Sequence, residues 1–189
     1  MQDVIDIAAA KGKELKRSIA VYAETKNPYW NNQQAIANGC GAPGSHPFED
    51  AVMKLLEKNK FNAKDAPIYI QSFDPESLKY LRKVGMKSKA VQLIDGNDIN
   101  YKDGSMGYIT SDEWTFISGR PYSWTLAGDA RTFGEMLTTK GLADIKTYAD
   151  GIGPWKPELL AHSVVPYKEG SGLKDVNTLK DTGVIGNAH

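Results

Sequence analysis

At 189 residues, with 41% hydrophobic and 24% charged residues, the chain has the composition of a single globular domain with a sizeable core. Lysine plus arginine and aspartate plus glutamate number 23 each, so no net field favours nucleic acid or an anionic membrane surface. The single cysteine, Cys40, excludes an intramolecular disulfide and a thiolate metal cluster, and no apolar run approaches the ~20 residues of a membrane span.

Ile5, Ala8 and Leu15 predict a helix from about Asp3 to Lys16, loosened by Gly12. Its first residues carry acids where a secretory leader carries bases, so the sequence as given shows no export signal. Ser18 to Glu24 reads as a buried strand, and Asn27 to Pro47 as a polar, Gly/Pro-rich loop in which Cys40 is a bystander. Pro47 to Lys58 has Phe48, Val52, Leu55 and Leu56 at helical spacing and acids in its first turn. Pro67 to Ser72 is the next strand. Asp74-Pro75-Glu76 opens a helix backed by Leu78 and Leu81, and Ala90 to Asp95 is a third strand. Gly96 to Gly128 reads as a long loop, Arg131 to Leu137 and Gly141 to Tyr148 as helices, and Ala149 to Pro154 as a short fourth strand. Lys156 to Lys174 is irregular, and Asn177 to His189 reads as a helix.

Strands alternating with helices imply an α/β protein with a parallel sheet. Large loops after the strands suit a barrel with its site at that end. A doubly wound sheet gives the same alternation, but no G-x-G-x-x-G or phosphate-binding loop follows any strand.

The chemistry concentrates at one strand end. Ala20, Tyr22, Glu24 and Lys26 alternate onto one face, and Ile19, Val21, Ala23 and Thr25 onto the other. A carboxylate there can bind a divalent cation, and an ammonium two residues on can bind a phosphate oxygen. The plainer reading is an exposed ion pair. Gln71, sharing a face with Tyr69 and Phe73, either lines the same mouth or fills the sheet interior. Lys156 also follows a strand end, where a surface role is the simpler account. His46, His162 and His189 have no ligand spacing among them and read as solvent-facing. Asp95 to Asp103 looks like a calcium loop but has Asn100 for the glycine and Met106 for the bidentate acid. Tyr29, Trp30, Trp114, Tyr122, Trp124 and Trp155 fall in the loops after strands, where they either wall a pocket or pack those loops down.

Val21-Tyr22-Ala23-Glu24-Thr25-Lys26-Asn27-Pro28 resembles the Glu-x-Lys strand of glycerophosphodiester phosphodiesterases, especially the longer secreted bacterial and plant type. Ile70-Gln71-Ser72-Phe73-Asp74 and Val91-Gln92-Leu93-Ile94 resemble the next two strand ends of that family. Arg120-Pro121-Tyr122 through Gly128-Asp129, Tyr148 to Pro154, and Asp181 to His189 are similar to later segments in the same order. The resemblance implies a TIM-type (β/α)8 barrel, of which residues 1–189 would be one incomplete domain of about four parallel strands. It implies metal-dependent hydrolysis of a small glycerophosphodiester to an alcohol and glycerol 3-phosphate. Glu24 would be a ligand of a divalent cation, calcium or magnesium, and Lys26 and Gln71 would be substrate-binding. Periplasmic or extracellular location follows from the subgroup.

The family's His-Arg-Gly strand, its paired acids and its second histidine have no counterpart before Glu24, and its closing strand has none after His189. No catalytic acid or base is therefore expected within this chain, and the chain alone is expected to be inactive. Half a barrel would also leave interior side chains such as Tyr22 and Ile70 open to water, giving marginal stability or aggregation. The alternative is a non-catalytic barrel relative that binds a phosphate ligand or serves a structural role.

Overall fold

The computed structural model describes residues 1–95, 119–165 and 178–185. Helix α1 (Gln2–Glu14) leads into strand β1 (Val21–Glu24), followed by α2 (Pro28–Ala37), α3 (Pro47–Lys58), β2 (Ile68–Ser72), α4 (Pro75–Lys83) and β3 (Lys89–Ile94). After these come α5 (Tyr122–Ala127), α6 (Phe133–Met136), α7 (Thr139–Ile145), β4 (Gly151–Pro154), α8 (Lys156–Leu159), β5 (Leu160–Val165) and β6 (Thr178–Ile185). The chain divides into two compact units, Met1–Leu93 with Asp144–Ile152, and Ile94–Ala143 with Gly153–His189.

β1 to β4 form one sheet in the order β1-β2-β3-β4. β1 pairs with β2, and β2 with β3, in parallel. β4 runs the same way: Asp150 N–H donates to the Ala90 carbonyl at 2.8 Å, and Trp155 N–H to the Ile94 carbonyl at 3.1 Å. This is the α/β architecture expected, a four-stranded parallel sheet with crossover helices, as in part of a TIM-type barrel. The four strands do not close on themselves. β5 and β6 form a separate antiparallel pair.

Alternation along the strands separates two faces. Val21, Ile68, Ile70 and Ala90 are buried on one face, and Leu56 of α3 and Leu78 and Leu81 of α4 are buried with no measurable exposure. Burying such aliphatic side chains contributes roughly 1.5–3 kcal/mol each, the main driving force for this layer. Ile70 is therefore not an interior barrel side chain left open to water; at 1% exposure it belongs to the helix-covered face. Tyr22, on the other face, is 53% exposed, as expected.

α4 starts where the sequence asks. The Asp74 carboxylate accepts from Glu76 N–H at 3.0 Å, and Pro75 occupies the first turn, where its missing N–H costs nothing. Gly12 does more than loosen α1. Arg17 N–H donates to its carbonyl at 3.0 Å, and a Cβ on Gly12 would lie 2.9 Å from the Arg17 carbonyl oxygen. The glycine lets the chain fold back onto the helix end.

Four expectations need correction. Residues 28–37 are helical rather than loop. Pro28 opens α2 from Asn27 in the left-handed region, and the Asn31 amide donates to the Lys26 carbonyl at 2.7 Å. The segment Pro28–Ala37 has no apolar stripe to announce a helix. Tyr122–Ala127, within the expected 96–128 loop, is α5, and residues 156–165 hold α8 and β5 rather than irregular chain. Thr178–Ile185 is the strand β6, not a helix; Thr178, Thr182, Val184 and Ile185 are β-branched and Gly183 disfavours a helix. The calcium-like segment beyond Asp95, Trp114, residues 166–174 and His189 lie outside the described residues.

Candidate functional site

The parallel register sets the geometry. Tyr22 pairs with Tyr69 and Tyr69 with Lys89; one pleat nearer the strand ends, Glu24 pairs with Gln71 and Gln71 with Val91. Cross-strand partners in register share a face, so Glu24 and Gln71 stand side by side at the C-terminal end of the sheet. Lys26 follows immediately, with its Nζ 3.7 Å from Glu24 Oε2. The structure thus brings together all three site residues read from the sequence. Lys26 is 78% exposed along its side chain and Glu24 20%, so the pair is a loose contact whose cation is free to turn to another anion.

The row beneath is aromatic and basic. The Tyr22 and Tyr69 rings meet edge to face at 5.7 Å. Lys89 Nζ donates to the Tyr69 hydroxyl at 3.1 Å and lies 4.8 Å from that ring's centre. Desolvation raises the Tyr22 phenol above its ordinary value, and the Tyr69 phenol adds to the shift. These side chains floor the face on which Glu24 and Gln71 stand.

Behind the strand end lies a buried polar cluster that sequence reasoning missed. Glu49, from the first turn of α3, is 1% exposed. Its Oε2 accepts from the Asn32 amide at 2.7 Å and its Oε1 from the Ser77 hydroxyl at 2.8 Å. The Ser77 hydroxyl lies 3.4 Å from that of Thr25, the residue between Glu24 and Lys26. The Ser72 hydroxyl donates to the Thr25 carbonyl at 3.1 Å. Gln92, with no exposure, donates to the carbonyls of Ser72 at 3.2 Å and Phe73 at 3.0 Å, and accepts from the Tyr148 hydroxyl at 3.0 Å. In the sequence Glu49 showed only as an acid in a helix's first turn; its burial had no local signal.

His46 borders the Glu49 cluster. His46 stacks on the Tyr80 ring at 3.9 Å, with its Nδ1 3.9 Å from Glu49 Oε2, so it is half-covered rather than solvent-facing. Cys40 is exposed and free. Lys156 is exposed at the start of α8. Tyr29 and Trp30 lie in α2 and Tyr122 and Trp124 in α5, helices rather than loops, and Trp124 is buried. Glu158 in α8 accepts from Trp155 N–H at 3.1 Å. Burial pushes its carboxyl up to about 7; the Trp155 hydrogen bond opposes that shift and the nearby Asp95 adds to it.

Among the described residues no three histidine, cysteine, aspartate or glutamate side chains are grouped to hold a metal ion. Glu24 can supply one oxygen donor group, whereas calcium takes ~6–8 oxygen ligands and magnesium about six. The described residues do not by themselves complete a cation site. No described helix is long and apolar enough to cross a membrane.

The chain is similar to glycerophosphodiester phosphodiesterases. It is 27% identical over 161 residues to a glycerophosphodiester phosphodiesterase of Haemophilus influenzae, covering 81% of this chain and 36% of that protein. It is 28% identical over 147 residues to a glycerophosphodiester phosphodiesterase of Arabidopsis thaliana, covering 76% of this chain and 32% of the relative. The chain thus spans about a third of the length of these curated relatives. No family model matches it.

Proposed function

We propose that this chain is part of a glycerophosphodiester phosphodiesterase, a metal-dependent hydrolase that releases glycerol 3-phosphate and an alcohol. The observation that carries the reading is the Glu24–Gln71 register with Lys26 beside it, at the C-terminal strand ends of a parallel sheet. That is the end at which barrel enzymes build their sites. Similarity to two proteins of that name, over about four-fifths of the chain, supports it.

Each residue has a part that follows from its chemistry. Lys26, a flexible point charge, turns from Glu24 to a phosphoryl oxygen and offsets charge developing there. Gln71 offers an amide donor beside it and fixes the orientation of the substrate. Glu24 is one ligand of a calcium or magnesium ion whose other ligands lie outside the described residues; when bound, that ion would neutralise charge on the phosphodiester oxygens. Proton transfer to the leaving alkoxide is assigned to a group outside this chain, since His46 lies against Tyr80 and Glu49 rather than beside Glu24. The 189-residue chain alone is accordingly inactive, and the substrate is a small molecule rather than a nucleic acid. Location outside the cytoplasm belongs to the same reading.

The test is release of glycerol 3-phosphate from a panel of glycerophosphodiesters. The full gene product carrying this sequence should release it in a chelator-sensitive manner, and the 189-residue chain should not. A full gene product that binds the diesters without cleaving any of them would instead make this a non-catalytic relative.

A further inference from the structure

The cluster around Glu49 has a direction. Ser77 has one hydroxyl proton and gives it to Glu49 Oε1 at 2.8 Å, so towards Thr25 the Ser77 oxygen can only accept; the Thr25 hydroxyl stands 3.4 Å from both the Ser77 oxygen and the Gln71 carbonyl and shares its one proton between them. On the other side Asn32 gives its amide protons to Glu49 Oε2 at 2.7 Å, while its own oxygen accepts from Phe48 N–H at 2.9 Å, which fixes the amide's orientation. One carboxylate, acting only as an acceptor, therefore organises donors from α2 and α4. Through Ser77 it reaches the single residue separating Glu24 from Lys26. The Thr25 backbone is held as well: its N–H donates to the Gln71 carbonyl at 2.9 Å, and its carbonyl accepts from the Ser72 hydroxyl.

A carboxylate is a costly way merely to close three helices. Burying one carries a desolvation penalty of several kcal/mol, and well-packed apolar side chains in its place are often as stable. What an apolar group cannot do is fix the hydroxyl of Ser77, and with it the rotamer of Thr25. We propose that Glu49 is a positioning residue for the Glu24–Lys26 pair, acting through Ser77 and Thr25 to hold the end of β1 in its binding geometry. This inference rests on the proposed roles of Glu24 and Lys26 and deepens that reading. Groups that hydrogen-bond a metal ligand directly change affinity or activity by about 10–100-fold when removed; Glu49 and Ser77 act one residue further away, through Thr25, so the lower end of that range applies.

The experiment uses the full gene product, with calcium as the probe, and compares wild type with Glu49→Gln, Ser77→Ala and Ser77→Thr. Gln at 49 keeps the size but replaces one acceptor by a donor; Ala at 77 removes the hydroxyl that joins Glu49 to Thr25, and with it both contacts; Thr at 77 restores the hydroxyl. Calcium affinity should fall by about tenfold or more in the first two and be recovered in the third. Amide exchange at residues 25–27 should quicken in the same two variants, with that of residues 68–70 unchanged. Should Glu49→Gln fail to fold, Ser77→Ala against Ser77→Thr decides alone. Calcium affinity within twofold of wild type in Ser77→Ala overturns the proposal, whatever the exchange shows. If wild type binds no calcium and cleaves no diester, the proposed function fails, and exchange at residues 25–27 decides the clamp separately: faster exchange in Ser77→Ala alone supports it, and equal exchange in all variants overturns it.

Discussion

On one face of the β1–β2–β3 sheet, Val21, Thr25, Ile68, Ile70, Ser72, Ala90 and Gln92 are buried; on the other, Tyr22, Glu24, Tyr69, Gln71 and Lys89 are exposed or half-covered. Both faces come from the same alternating strands. The buried face mixes an aliphatic layer with polar side chains that all find partners, so it fixes the strand ends as well as driving folding. The open face is aromatic and charged, and its one well-buried member among these three strands is Val91. Stability is concentrated on the first face and candidate chemistry on the second. Substitutions should therefore separate the two.

The largest effect is expected on the covered face. Ile70→Ala should lower unfolding free energy by about 2–5 kcal/mol, as for other large-to-small core changes. Tyr22→Ala, on the open face, should cost less than about 1 kcal/mol. Denaturant titration of both checks the comparison, and equal losses would break it. Gln92→Leu should come next, at about 1–3 kcal/mol. It removes the donor to the Ser72 and Phe73 carbonyls and the acceptor of the Tyr148 hydroxyl. Its check is the same titration, with hydrogen exchange at residues 72–73 reporting the local loss.

A separate effect concerns pH. The Glu158 carboxyl is raised from 4.5 to about 7 in the folded protein, so folding favours its protonated form. The stability this contributes is complete below pH 4.5 and is lost as pH rises through about 7. Glu158→Gln should flatten that part of the thermal-stability profile; an unchanged slope between about pH 5 and 8 would show that this group does not titrate as described.

Much of the covered face was legible in the sequence because it is written in periodicity. Phe48, Val52, Leu55 and Leu56 mark α3, and Asp74-Pro75 marks the start of α4; alternation gives Gln71 a face with Tyr69, and only the register sets it beside Glu24. The same alternation places Ile70 with the helices, against the expectation that it would face an open interior. α2 was not legible because it docks through a polar side chain: Asn32 is buried against Glu49, so the usual apolar stripe is absent. β6 misled because its pattern reads equally as a helix until Thr178 and Val164 are seen to lie in an antiparallel pair of strands. At the site, Glu24, Lys26 and Gln71 could be named from alternation along the strands together with resemblance. Glu49 and Ser77 could not, because their meeting depends on how α3 and α4 pack, and no spacing within either helix encodes it.

The most direct test of the account is glycerol 3-phosphate release by the full gene product carrying Glu24→Gln, alongside Tyr22→Ala from the same open face. Glu24→Gln should reduce divalent-cation-dependent turnover by about 100-fold or more while leaving the thermal midpoint unchanged, because it removes charge at the strand end and little packing. Tyr22→Ala should retain most of the turnover. Wild-type turnover in Glu24→Gln would contradict the assignment of that strand end to the reaction.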